Sequence, residues 1–196
     1  MTLDEALQKA KDTKQSVLAS LGGITSSSTI KDLIVVSYLA LVKQHHASVI
    51  LLIENNLHSS AVALSRPLLE ACYRCLWVQL VADNDECEKI KTPDYDWKQT
   101  WKLAKEVDGA LCGGVFHSIC QRNIGVLNDF THGGLEQISR QINYSTHIVE
   151  PTFSDEELIV LLVSSNAQLA MTLLAFALNI NDKKLIEFAQ KLLLEE

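Results

Sequence analysis

A chain of 196 residues and 21.8 kDa with 47% hydrophobic residues, 8 Gly and 3 Pro can bury a core of ordinary size, which excludes disordered, collagen-like and repeat classes. Its 24 acidic against 17 basic residues leave a formal charge of -7, an overall field that repels nucleic acid and anionic lipid. Five cysteines, an odd number scattered through helical patterns, read as reduced thiols and small core residues, not as a disulfide framework.

Met1 to Leu18 mixes Asp4, Glu5, Lys9, Lys11, Asp12 and Lys14 with apolar residues and so lacks the uninterrupted apolar region of a signal peptide; a cytoplasmic protein is expected. Within the same stretch Leu3, Ala6, Leu7, Ala10, Val17 and Leu18 recur at helical spacing, and Gly22-Gly23 ends this first helix, which we expect as a peripheral arm over residues 1–21. Ser26-Ser27-Ser28 reads as hinge and cap. A second helix begins near Thr29, with Asp32 in its first turn, and ends at Asn55-Asn56. Leu57 to Val81 predicts a third, which Pro67 either kinks or restarts.

Asp83 to Asp94 is acidic and without a strong period, a surface connection with one loose turn. Asp96 to Val107 is the next helix, carrying Trp97 and Trp101 beside Lys98, Lys102 and Lys105, and Gly109, Gly113 and Gly114 break it. Val115 to Thr131 is helical up to a corner at Gly133-Gly134; Leu135 to Ile142 is a short helix, and Asn143 to Phe153, with Pro151, is a loop. Ser154 to Glu157 is a capping box opening a long helix, with no charge from Leu158 to Ile180. That stretch is long enough to cross a bilayer, but Ser164, Ser165, Asn166 and Gln168 sit near its middle and its flank is acidic, so we expect a central core helix and no membrane. Asn181-Asp182 caps the last helix. No alternating strand pattern stands out, and the fold expected for residues 1–196 is one all-α domain, a bundle of about six to eight helices.

Arg66, Glu70 and Arg74 are spaced four apart in apolar surroundings, so they form one charged stripe on a helix that otherwise faces protein. Such charges need partners, and the run Asn128-Asp129-Phe130-Thr131-His132 before the Gly133-Gly134 corner is the nearest supplier of polar groups. Two readings stay open: a structural ion network, or a site where an Arg fork and His132 meet an anionic ligand or a partner's acidic group. Cys72 and Cys75 are three apart on one face, but no second pair completes a zinc site, and adjacent His45-His46 point about 100° apart; no metal and no cofactor is expected. Trp97, Trp101 and the lysines read as a docked amphipathic helix with a basic edge, with stacking on single-stranded nucleic acid as the alternative.

Arg-Pro-Leu-Leu-Glu with Arg74 and Trp77, then Asn-Asp-Phe-Thr-His-Gly-Gly with Gln137 and Arg140, resembles a group of uncharacterised bacterial helical domains related to the HEPN superfamily (higher eukaryotes and prokaryotes nucleotide-binding). The resemblance runs from about Leu57 to Arg140 and implies a HEPN-like bundle that dimerises and, in many members, a metal-independent RNase of toxin or abortive-infection systems, using an Arg and a His four to six residues apart. Arg140 and His147, six residues between them, fit that spacing and are the catalytic candidates, with His132 as a less conventional one; Gln141 after the Arg and a loop position for His147 depart from the pattern. The function expected is a binding or regulatory module with a buried Arg-Glu-Arg/His polar pocket, formed by Arg66, Glu70, Arg74, Asn128, Asp129 and His132, for an anionic ligand or partner group; the alternative is a HEPN-type endoribonuclease acting on RNA. An excess of apolar helix faces points to a homodimer.

Overall fold

A computed structural model describes residues 1–23, 29–143, 146–149 and 152–195. In chain order these form α1 (Leu3–Ser20), α2 (Ile30–Glu54), α3 (His58–Ala63), α4 (Ser65–Leu80), α5 (Asn84–Ile90), α6 (Thr100–Leu111), α7 (Val115–His132), α8 (Leu135–Ser139), the two-residue strands β1 (Ile142–Asn143) and β2 (Ile148–Val149), α9 (Asp155–Asn179) and α10 (Lys183–Leu194). The class is all-α. The hinge expected at Ser26-Ser27-Ser28 and the loop proline Pro151 lie outside the described residues.

Helix starts follow local chemistry. Thr2, Thr29 and Ser154 each form a reciprocal capping box with the acid three residues on, Glu5, Asp32 and Glu157, and Asp182 caps α10 through the Leu185 amide. Helix α7 opens at Gly114, which has no side chain to cap it; Asp108, buried at the end of α6, accepts from the Phe116 and His117 amides at 3.1 and 2.8 Å instead.

Four stretches depart from expectation. The chain from Leu57 to Val81 is two helices separated at Leu64, and Pro67 sits in the first turn of α4, where its missing amide has no helical acceptor to satisfy. Asp83 caps α5, whose Cys87 is buried, so the acidic connection is an ordered element. Helix α6 starts at Thr100, not Asp96, and continues through Gly109 to Cys112 at φ +55, because burial of Leu103, Val107 and Asp108 outweighs the glycine's weak helix preference. The loop after α8 pairs as a small antiparallel ribbon, Ile142 with Val149 and Asn143 with Ile148.

Helix α9 occupies the centre. Its Leu158, Leu162, Leu169, Leu173 and Phe176 are buried against α1, α2, α4 and α10. Val35, Leu39, Val42, Leu68, Cys72, Cys75 and Leu173 make the larger core, and Ala6 and Ala10 of α1 join Val49, Ile50 and Leu162 in a second. Helix α1 is thus packed on α9 through small buried side chains. By length and composition alone α2 and α9 are apolar enough to cross a membrane. The five cysteines are unpaired, and burial pushes the Cys72 thiol up to about 12 and Cys75 well above its ordinary value, which makes them inert.

One polar pair crosses this core. His46 of α2, fully buried, donates from Nε2 to the Asn166 Oδ1 of α9 at 2.8 Å, and its buried Nδ1 has no partner among the described residues. Burial lowers the His46 pKa, against the Asn166 hydrogen bond that raises it; burial also lowers His45. The unfolded chain therefore takes up protons below pH 6.5 that the fold refuses, so stability is complete above that value and falls beneath it. Urea unfolding should show a loss of about 1 kcal/mol between pH 7.5 and 5.5, and a smaller loss in His46→Gln. Equal slopes in the two proteins would remove His46 as the cause.

Candidate functional site

The stripe on α4 forms as its spacing requires. Glu70 Oε1 accepts from Arg66 Nε at 2.9 Å, and Glu70 Oε2 lies 3.7 Å from Arg74 Nη2. The three side chains are 25%, 21% and 30% exposed, so this network is half-buried, not sealed in the core as expected. The reason is geometric: the opposite face of α4, with Leu68, Cys72, Cys75 and Leu76, takes the core contacts, and the stripe falls at the edge of the seam with α7.

The end of α7 meets that edge. Gly133, at φ +70, closes the helix, and Gly134 turns the chain so tightly that a Cβ there would stand 2.6 Å from Asp129 Cγ. This corner delivers His132 to Arg66, with Arg66 Nη1 and His132 Nε2 at 2.5 Å. A guanidinium can only donate, so Nε2 is the acceptor and the imidazole is neutral with its proton on Nδ1. Asp129, by contrast, is used by the corner: its main-chain carbonyl accepts from Gly134 at 2.7 Å and its carboxylate faces the Glu136 amide at 3.5 Å. Asn128 has a buried Oδ1 with no partner among the described residues.

Arg74 ends the stripe against aromatics. Its guanidinium stacks over Trp97 at 5.0 Å, and Trp97 meets Tyr38, Trp77 and Tyr95 edge-on. Burial pushes the Tyr38 hydroxyl up, opposed by Arg74 beside it. Trp77 donates to Glu106 at 2.6 Å, and Lys98 holds the same carboxylate at 2.8 Å while lying over the Trp77 ring. Burial raises Glu106, but the hydrogen bonds from Lys98 and Trp77 outweigh it and leave the carboxyl below its usual range. Trp97 and Lys98 thus belong to a docking cluster, and Trp101 pairs on the surface with Lys102. Glu106 escaped the sequence reading, since nothing local marks it as Trp77's acceptor.

Arg140 and His147 lie elsewhere. Arg140 makes two bonds to Glu157, at 3.1 and 2.6 Å, reaches the Thr152 carbonyl and covers the Phe153 ring, so it ties the ribbon to the start of α9. His147 is exposed in the turn between β1 and β2 at φ +57, its amide donating to the Asn143 carbonyl at 2.8 Å. Glu157, read from sequence only as a cap, is the partner that spacing could not assign to Arg140.

On the neighbouring face of α4 a cleft of about 270 Å³ opens between α4, α7 and α9. Ser65, Leu68 and Leu69 line it with Leu127, Phe130 and Leu161; none of Arg66, Glu70, Arg74, Asn128, Asp129 or His132 does. The charged seam and the cleft are therefore separate features of one helix. Among the described residues no group of three His, Cys, Asp or Glu is placed to hold a metal.

Fold and site together define an all-α bundle whose fourth helix carries a half-buried Arg-Glu-Arg stripe bridged by a histidine to the corner that ends α7. The chain belongs to a family of unknown function, DUF6988, whose model matches residues 39–192 and so spans the stripe, the corner and Arg140 with His147. No curated protein and no solved structure matches the chain.

Because Glu70 is the shared anion of two cations at a partly wet site, Glu70→Ala should cost about 1 to 2 kcal/mol, less than a sealed network would. In thermal unfolding this is a Tm lower by about 2 to 8 °C. An unchanged Tm would mean that neither arginine depends on Glu70.

Proposed function

We propose that the protein is a binding or regulatory module in which Arg66, Arg74 and His132 hold an anionic group of a small molecule or of a partner protein. The observation that carries this reading is the Arg66 to His132 contact: it uses His132 Nε2 as the acceptor and leaves the free nitrogens of Arg66, Arg74 and His132 as donors. Glu70 neutralises one of two guanidiniums, the Nη2 of Arg66 bonds no described residue, and the neutral His132 offers its Nδ1 proton. A patch of donors with one excess positive charge, in a chain of net charge -7, favours a compact anion over a polyanion. The setting is cytosolic, in keeping with five unpaired thiols, four of them buried.

Titration calorimetry with inorganic pyrophosphate at low ionic strength tests the reading. Binding should weaken tenfold or more in Arg66→Gln and again in His132→Ala, with the circular dichroism spectrum unchanged. No heat from pyrophosphate or citrate would overturn it. Total RNA incubated in EDTA should stay intact; cleavage lost in His132→Ala, or in His147→Ala or Arg140→Ala, would replace the binding module by a HEPN-type endoribonuclease.

A homodimer belongs to the same proposal. Leu33, Leu41 and Leu51 on α2 and Val115, Ile119 and Val126 on α7 remain exposed, more apolar helix surface than an isolated bundle needs. Multi-angle light scattering at micromolar concentration should give about twice 21.8 kDa. A mass of one chain would remove the dimer.

A further inference from the structure

Helix α2 has one face that the rest of its own chain leaves open. Leu33, Ser37, Ala40, Gln44 and Leu51 are exposed, with Ala47 half-buried, and they recur at alternating spacings of four and three. That is the spacing of a coiled-coil seam, here about 27 Å long. Leu41, also exposed, flanks it. Lys43, the only Lys, Arg, Asp or Glu between Asp32 and Glu54, is not in the seam and lines a hollow with Leu21 and Phe176.

The hydroxyls of this face are already spent on their own helix. Ser37 donates to the Leu33 carbonyl at 2.6 Å, and Ser48, beside the seam, donates to the Gln44 carbonyl at 2.9 Å. Serines bonded in this way lose little when a second helix excludes water from them. Gln44 is the one amide of the seam, and a lone polar residue in such a seam sets register.

The seam is complementary to itself. A two-fold axis level with Val42 sets Leu33 on the partner's Leu51, Ser37 on the partner's Ala47 and Ala40 on the partner's Gln44. Leucine thus meets leucine at both ends, and each alanine meets a larger side chain. A parallel pair would lay alanine on alanine and glutamine on glutamine, with gaps between the helices and their dipoles aligned. The exposed apolar stripe of α7 is a poorer surface for the purpose, because Arg122 falls between Ile119 and Val126 and would be covered without a counter-charge. A bilayer suits the α2 face less well, since a single lysine flanks it in a chain of charge -7, where interfacial helices present rows of Lys and Arg.

We infer that two copies of this chain associate through α2, antiparallel, with Leu33, Ser37, Ala40, Gln44, Ala47 and Leu51 as the contact. This rests on the homodimer proposed above and assigns its surface. Repulsion between two chains of charge -7 opposes association everywhere, and the uncharged seam is where they approach at least cost.

Disulfide trapping in a Cys112→Ser background, which removes the one exposed thiol, tests the arrangement. Oxidation of an equal mixture of Leu33→Cys and Leu51→Cys chains should give a cross-linked dimer on a non-reducing gel. Either chain alone should stay uncross-linked, its two thiols being about 27 Å apart in the antiparallel pair. By sedimentation velocity the wild-type dimer should tighten as ionic strength rises. Ala40→Glu, a change at an exposed position, should weaken it about tenfold or more with the circular dichroism spectrum unchanged, and Val126→Glu should leave it as it is. Self-cross-linking of Leu33→Cys, a dimer that survives Ala40→Glu, or one lost in Val126→Glu overturns the inference and leaves the homodimer standing. A monomer at every concentration overturns both. Flotation with phosphatidylglycerol vesicles that Ala40→Glu abolishes would give the face to a bilayer and overturn it too. Should Ala40→Glu fail to fold, the cross-linking pattern decides alone.

Discussion

Helix α9 has no charged side chain from Leu158 to its end at Asn179, and a helix of that kind in water must be covered on nearly every side. The rest of the bundle answers this demand. Helices α1, α2, α4 and α10 lie against it, with α1 approaching through Ala6 and Ala10, whose small side chains bring the helices close. The polar groups inside α9 are handled locally or by one neighbour. Ser165 and Thr172 return their hydroxyls to the Leu162 and Gln168 carbonyls of their own helix, and Asn166 receives His46. Gln168 differs, its buried Oε1 having no partner among the described residues, and it lines the cleft together with Ser164 and Ser165.

Covering α9 dictates how α4 is turned. Leu68, Cys72, Cys75 and Leu76 face the core, which sends Arg66, Glu70 and Arg74 to the seam with α7 and Ser65, Leu68 and Leu69 to the cleft. Half-burial of the stripe is then a consequence of packing, and it matters chemically. A sealed Arg-Glu-Arg network would be satisfied and inaccessible, whereas one at an edge retains donors that solvent or a ligand can reach. Glu70 orients both guanidiniums, His132 accepts from one, and Trp97 backs the other. Rigidity comes from the second rank of contacts, in which Glu106 joins Trp77 to Lys98 and Asp108 starts α7.

Arg140 shows how one residue type serves different ends in the same chain. Its fork is closed on Glu157 and its plane on Phe153, both within the junction between the ribbon and α9. His147, across the ribbon turn, is open to water. Spacing along the chain brought these two residues to attention together, yet the guanidinium faces a carboxylate belonging to another helix, and what it could do for chemistry at His147 depends on releasing that pair.

Helix existence, the helix start at Thr29, the capping box at Ser154, the Gly133 stop and the four-residue stripe were legible because each is decided by groups within a turn or two of one another. The sequence also determined that α9 would be central, since its lack of charge leaves few other places for it. Tertiary structure alone decided the split at Leu64, the passage of α6 through Gly109, the Glu106, Asp108 and Glu157 pairings, the contact of Arg66 with His132 at 2.5 Å, and a cleft beside the stripe instead of within it. Those outcomes depend on which faces of distant helices meet and how deeply. That is a property of three-dimensional packing, and no local pattern of residues encodes it.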